Sequence, residues 1–264
     1  MSDQNNEKLL KQLKEAVVAI RKLKSELQKE KAAKREPIAI VGMAMRLPGD
    51  VNNASDYWNL LENGVDAISP VPSNRYNADE LYDADPNSPG KITVKEGGFI
   101  KNVDQFDVSF FDISPVELEN VDPQQRVLLE VTHEAFENAG MNVLHLKDSN
   151  TGVFVGISNN DYQSKHFRSG DYKLINPYSF TGASISSNAG RISYLMGLQG
   201  PCVTIDTACS SSLVCTHLAA NALRNKECDI AVSGAVNIIL EPELTIYFST
   251  LNALAPDGRC KTFD

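Results

Sequence analysis

Apolar residues recur at three- and four-residue steps from the start of the chain. Leu10, Leu13, Val17, Ile20 and Leu27 mark one register, with Lys24 in the position an apolar residue would complete. Leu9, Leu13, Ala16, Ile20, Leu23 and Leu27 mark a second, and Lys and Glu fill the remaining positions. Heptad spacing held for about three repeats predicts a long helix whose seam suits a short parallel coiled coil between two chains. About 30 helical residues reach ~45 Å, and a lone helix of that length is marginal without a partner. A single solvated helix is the competing reading. Lys34, Arg35, Glu36 and Pro37 end the segment, because proline disfavours helix at the residue before it. The chain thus divides into a helical leader, 1–35, and a body, 36–264.

In the body the period changes. PIAIVGMAM (37–45) is a continuous apolar run and predicts a buried strand. SDYWNLLENG (55–64) predicts a helix capped by Ser55 and closed by Gly64. Residues 66–100, rich in Pro, Asn, Asp and Gly, predict a long surface excursion. DPQQRVLLEVTHEAFENAG (122–140) has an Asp cap, a proline in the first turn and a terminal glycine. Val127, Leu128, Val131 and Ala135 share one of its faces, and His133 reads as a half-buried structural residue. Strand predictions at 151–157, 201–208 and 228–240 alternate with helix predictions at 184–197 and 210–225, and 242–254 is a mixed segment that favours helix. That alternation predicts an α/β layered body with parallel pairing.

Composition narrows the classes. Of 264 residues, 42% are hydrophobic, enough for a packed core, yet no run approaches the ~18 apolar residues of a membrane span. The opening residues lack an apolar signal core, which points to a cytoplasmic protein. Residues 1–36 hold ten Lys/Arg and six Asp/Glu, about +4, so the overall −9 leaves about −13 on the body. An acidic body argues against nucleic-acid binding, and the basic leader suits an acidic partner or serves solubility. Five cysteines (202, 209, 215, 228, 260) and four scattered histidines show no metal-ligand spacing.

Cys209 is the residue with candidate chemistry. In TIDTACSSSL (204–213) a β-branched run meets small residues and then a helical pattern, which places the thiol at a strand-to-helix turn. Unpaired backbone N–H groups gather at such a turn, and the helix dipole favours negative charge there. Together they can hold an oxyanion, as the nucleophile elbow of serine hydrolases does. The dipole is worth about 0.3–1 kcal/mol, and ~2 at most when partly buried. That suits attack on a thioester, an acyl donor already activated, but supplies no proton. Ala208 and Ser210–Ser212 leave room for an acyl chain. A small, well-packed cysteine without chemistry is the competing reading. Cys202, Cys215, Cys228 and Cys260 read as inert. His217, about 12 Å along the helix from Cys209, reads as structural.

These residues resemble β-ketoacyl synthases. GPCVTIDTACSSSLVCTHLAANALRNKECDIAVSGAVNII (200–239) is similar to the active-site region of the ketosynthase domain of modular type I polyketide synthases. PIAIVGMAMRLPG, YWNLLENGVDAIS, the block from GKITVKEGGF to EAFENAG, TGVFVG, AGRISYLMGLQGP and LAPDGRCKTFD agree in order. The likeness spans 37–264, and the leader resembles docking segments that open such subunits. The resemblance implies the N-terminal half of a thiolase-like layered fold, preceded by a long helix, in a homodimer whose interface lies near the segment before Cys209. It implies that Cys209 accepts an acyl chain from the phosphopantetheine arm of an acyl carrier protein, with its own N–H as oxyanion donor. A decarboxylative Claisen condensation with a carrier-bound malonyl-type extender follows. Cysteine in place of glutamine matches extending domains. Family members continue past KTFD, and their two catalytic histidines lie in that later part. A truncated chain, inactive and poorly soluble alone, is therefore expected. The alternative is a non-catalytic docking module that recruits an upstream synthase subunit.

Overall fold

The computed structural model describes residues 2–33, 36–167 and 170–262, with side chains for 9–28, 36–164 and 170–262. The leader is one helix, α1 (Ser2–Ala33), and every residue from Leu9 to Gln28 is exposed. Lys34 and Arg35, where the sequence ends the helix, lie outside the described residues.

Residues 37–45 correct the sequence reading. They join no strand ladder, and Ile40 and Val41 are 81% and 58% exposed. An apolar run reports a tendency toward burial, whereas a strand exists only when another strand pairs with it. The segment is anchored by other means. Arg224 Nε donates to Glu36 O at 3.3 Å, and Met43 N donates to Asn138 Oδ1 at 3.0 Å. Gly42 lies so close to Ala135 and Ala139 that a Cβ would collide with them.

Helix α2 (Ala54–Glu62) is capped by Asn53, whose Oδ1 accepts from Asp56 N at 2.9 Å, and not by Ser55. Asp56 reaches back to Asn52 N at 3.1 Å, which satisfies a second donor at that end. The excursion that follows is more than surface. It forms β1 (Ser69–Pro70), α3 (Ala78–Leu81) and β2 (Glu96–Gly97), β1 and β2 pair antiparallel, and Ile92 and Val94 are buried. After α4 (Pro115–Leu118) comes α5 (Pro123–Asn138), with Asp122 as cap and Gly140 beyond its end at φ +70°. The buried face of α5 is Leu128, Leu129, Thr132 and Phe136; Val127, Val131 and Ala135 are only half-buried.

The central sheet is β3 (Thr151–Gly156), β4 (Cys202–Ile205) and β5 (Ile230–Ala235), all parallel, in the order β4-β3-β5. Between β3 and β4 lie α6 (Asp161–Phe167), α7 (Ser179–Ala183) and α8 (Ser187–Met196). Helix α9 (Ser211–Arg224) links β4 to β5, and α10 (Glu243–Thr250) follows. Every residue of β3 is buried, as the unbroken apolar run of a strand covered on both faces requires. Side chains alternate across it. Val153 and Val155 pack with Leu128, Leu129, Phe136, Ile192 and Met196 of α5 and α8. Phe154 packs the other way, with Cys215, Ala219 and Ala222 of α9. The result is an α/β/α body in which the small residues of α9 allow it to lie close to the strands. Cys215 and Cys228 belong to this core, and burial pushes both thiols up.

Candidate active site

Strand β4 ends at Ile205. Asp206 and Thr207 lead into a single 3-10 turn, Ala208–Ser210, and α9 starts at Ser211. Cys209 therefore sits in the turn just ahead of the helix, and it is exposed. Ala208 holds φ +54°, a left-handed conformation that costs an L-residue with a Cβ about 1–2 kcal/mol. Local hydrogen bonds hold it there. Ala208 N donates to Asp206 Oδ1 at 2.9 Å, and Thr207 N donates to Ser211 Oγ at 2.9 Å. Ser211 Oγ in turn donates to Ala208 O at 2.7 Å, and Ser210 Oγ lies 2.9 Å from both Thr207 O and Thr207 Oγ1. The turn packs on Gly156, the last residue of β3. A Cβ there would come within 2.9–3.1 Å of Ser211.

This turn lies at the C-terminal ends of the parallel strands, where α/β sheets place their ligands. A buried polar network, not apparent in the sequence pattern, ties the other two strand ends together. Gln124 Nε2 donates to Asn159 O at 3.1 Å, beyond β3, and Ile238 N donates to Gln124 Oε1 at 3.2 Å, beyond β5. Asn159 Nδ2 bridges to Ile238 O at 3.0 Å and to Asp161 Oδ2 at 3.1 Å. That same Asp161 oxygen accepts from Leu240 N at 3.0 Å and Glu241 N at 3.2 Å. Asp122, which caps α5 beside this network, is pushed up to about 6 by burial, against the opposing hydrogen bonds from Gln124. An open cleft of about 210 Å³ lies against the network, lined by Ser158, Asn159, Asn160, Asp161, Ser164 and Glu243 with Leu244. A larger one, about 500 Å³, lies between Arg46, Lys101 and Glu130. Cys209 lines neither of these two clefts, and the residue is exposed.

The histidines are elsewhere. His217 is exposed on α9 with Nε2 2.9 Å from Asn221 Nδ2. His133, with its side chain 20% exposed, meets Phe110 edge-on at 4.8 Å. His145 lies in the 3-10 turn Val143–Leu146, and the side chain of His166 is outside the described residues. Among the described residues no histidine is hydrogen-bonded to Cys209, and no group of three or more His, Cys, Asp or Glu could hold a metal ion. No described helix is long and apolar enough to cross a membrane.

The family model for the β-ketoacyl synthase N-terminal domain matches residues 35–264. The PKS-NRPS hybrid synthetase acdB of Aspergillus candidus is 47% identical over 229 residues, 86% of this chain and 9% of that protein. A phenolphthiocerol/phthiocerol polyketide synthase of Mycobacterium bovis is 47% identical over 230 residues, 87% of this chain and 12% of that protein. The phenolphthiocerol synthesis polyketide synthase type I Pks15/1 of Mycobacterium marinum is 40% identical over 263 residues, 99% of this chain and 12% of that protein, so that its likeness extends through the leader. The chain thus spans about a tenth of the length of these relatives. Among solved structures, the oxazolomycin ketosynthase domain OzmH KS7 of Streptomyces albus superposes with a TM-score of 0.78 at 37% identity, over 86% of this chain and 39% of that one. The ketosynthase from module 6 of the bacillaene synthase of Bacillus subtilis gives 0.73 at 40% identity, over 86% of this chain and 36% of that one. From the parallel sheet, the cysteine turn at its strand ends and these likenesses together, the chain belongs to the β-ketoacyl synthase family, in the thiolase-like fold of the polyketide ketosynthases.

Proposed function

We propose that the chain is the N-terminal part of a chain-extending polyketide ketosynthase and that Cys209 is its acyl acceptor. The sulfur attacks the carbonyl of an acyl thioester on the phosphopantetheine arm of an acyl carrier protein. The S–C bond to Cys209 forms, the bond to the carrier thiol breaks, and that thiol leaves with the proton given up by Cys209. A malonyl-type extender on a carrier then loses CO2, and the resulting carbanion attacks the Cys209 thioester, which frees the cysteine and leaves a β-ketoacyl chain on the carrier. The oxyanion in each attack falls to backbone N–H groups at the turn, that of Cys209 first. Loss of one such donor typically costs about 10²–10³ in rate. The observation that carries this reading is an exposed thiol at a strained strand-to-helix turn, at the C-terminal end of a parallel sheet. Incubation with a carrier-bound acyl thioester followed by peptide mapping tests it. Label on the peptide holding Cys209, absent in Cys209→Ala, is expected; label retained in that variant sinks the assignment.

A second role is favoured by α1. Its apolar stripe, Leu9, Leu13, Ile20, Leu23 and Leu27, is at least 50% exposed throughout, an arrangement that suits pairing two chains and docking an upstream synthase subunit. The open edge of β4, where Cys202 and Val203 are exposed, supports a homodimer that meets near the cysteine turn. A cytoplasmic assembly with acyl carrier protein as partner accords with both. Titration of a peptide of residues 1–36 against C-terminal tails of candidate upstream subunits checks the docking role: neither binding nor self-association would count against it.

A further inference from the structure

Ser211 is the first residue of α9 and is 4% exposed. Its hydroxyl uses both of its capacities on the turn ahead of it. It accepts from Thr207 N at 2.9 Å and donates to Ala208 O at 2.7 Å. The second bond matters for chemistry. Ala208 C=O and Cys209 N–H belong to one planar trans peptide, so they point in opposite directions. A hydroxyl that pins the carbonyl toward the buried side thereby turns the N–H of Cys209 toward the exposed side, where the thiol is. Donation to that carbonyl also polarises the peptide and strengthens its N–H as a donor. Gly156 makes the arrangement feasible, since any side chain there would meet Ser211 at about 3 Å. Ala208, between the two braced groups, is held left-handed at φ +54°.

We propose that Ser211 is a positioning residue for the acylation of Cys209: it aims the Cys209 N–H at the oxyanion. The proposal rests on the reading of Cys209 as acyl acceptor. Two reactions of the same sulfur separate aiming from mere folding. Acyl transfer from a hexanoyl N-acetylcysteamine thioester passes through an oxyanion. Alkylation by iodoacetamide displaces iodide at a saturated carbon and forms none. In the full chain, with each reaction followed by peptide mass spectrometry at Cys209, Ser211→Ala is expected to slow acylation by about 10²-fold, in the range of a lost oxyanion donor. Alkylation should stay within about threefold. Ser211→Thr, which keeps the hydroxyl, should restore acylation to within about fivefold of the native chain. If the alanine variant does not fold, Ser211→Val, isosteric with the threonine variant but without a hydroxyl, carries the same comparison. Equal slowing of both reactions, or unchanged acylation, overturns the proposal. Failure of the native chain itself to acylate at Cys209 would instead remove the reading on which it rests.

Discussion

Asp122 caps α5 from a position only 3% exposed, and its carboxyl is pushed up to about 6 because burial penalises its charged form. An unfolded aspartate titrates near 3.9. The folded chain therefore holds a proton that the unfolded chain releases between about pH 4 and 6. The stabilisation from that proton is complete below pH ~4 and is lost as pH rises through about 6. The gap between the folded and unfolded values corresponds to about 3 kcal/mol at the ceiling. Asp122→Asn keeps an oxygen for Gln124 N and does not titrate. Between pH 4.5 and 7.5 its unfolding free energy should fall less than that of the native chain, by up to about 2 kcal/mol in urea melts. Identical pH slopes for the two proteins would refute this. Asp122 as a cap was legible from its place before Pro123 and a helical run. Its depth was not, because burial comes from α7 and the strand-end loops, which are distant in the chain; Asp122 N, for example, donates to Gly182 O at 2.8 Å.

At the scale of elements, helices were more legible than strands. The α5, α8 and α9 segments carry their own punctuation, such as Pro123 at the first turn and Gly197 at φ +68° after α8. Strands carry none, and each strand of the central sheet is shorter than its apolar run. The run 228–240 is strand only over Ile230–Ala235. Ile238 stays 3% exposed but gives its N–H to Gln124 Oε1 in place of a ladder partner. The same logic leaves 37–45 unpaired. Where α5 meets the sheet, Leu129 is fully buried with Val153, Val155 and Ile192. Leu129→Ala should destabilise the chain by about 2–5 kcal/mol, read as a lower urea midpoint with an unchanged m-value. A loss under ~1 kcal/mol would show that the α5–sheet contact is looser than its burial indicates.

The whole molecule is a layered body with an exposed leader. From residues 9 to 28 the leader is solvent-facing throughout, so its apolar stripe contributes nothing to the core of the body. The body has exposed apolar side chains of its own, including Tyr172, Phe180 and Tyr194 at 81%, 65% and 84%. Large exposed apolar surface favours association. Removal of residues 1–35 is expected to leave the melting temperature of the body within ~2 °C while lowering the oligomeric state seen by analytical ultracentrifugation. A large fall in melting temperature would mean that the leader packs on the body after all. Opposite charge on leader and body, about +4 and −13, adds a salt-sensitive attraction, so the assembly should weaken as ionic strength rises.

Local chemistry was enough to determine the leader helix, the alternation of helices and strands, and a lone cysteine at a strand-to-helix turn. Each depends on spacing within a few residues or on short-range capping and turn preferences. Tertiary structure alone decided that Gly156 lies beneath Ser211 at the Cys209 turn, and that Gln124, Asn159 and Asp161 join the strand ends. It also decided which apolar runs found a ladder. Those outcomes depend on groups brought together from distant parts of the chain, as Gln124 with Ile238, or on a floor such as Gly156 beneath Ser211. No periodicity encodes such meetings, because they follow from the packing of layers and not from the order of neighbours along the chain.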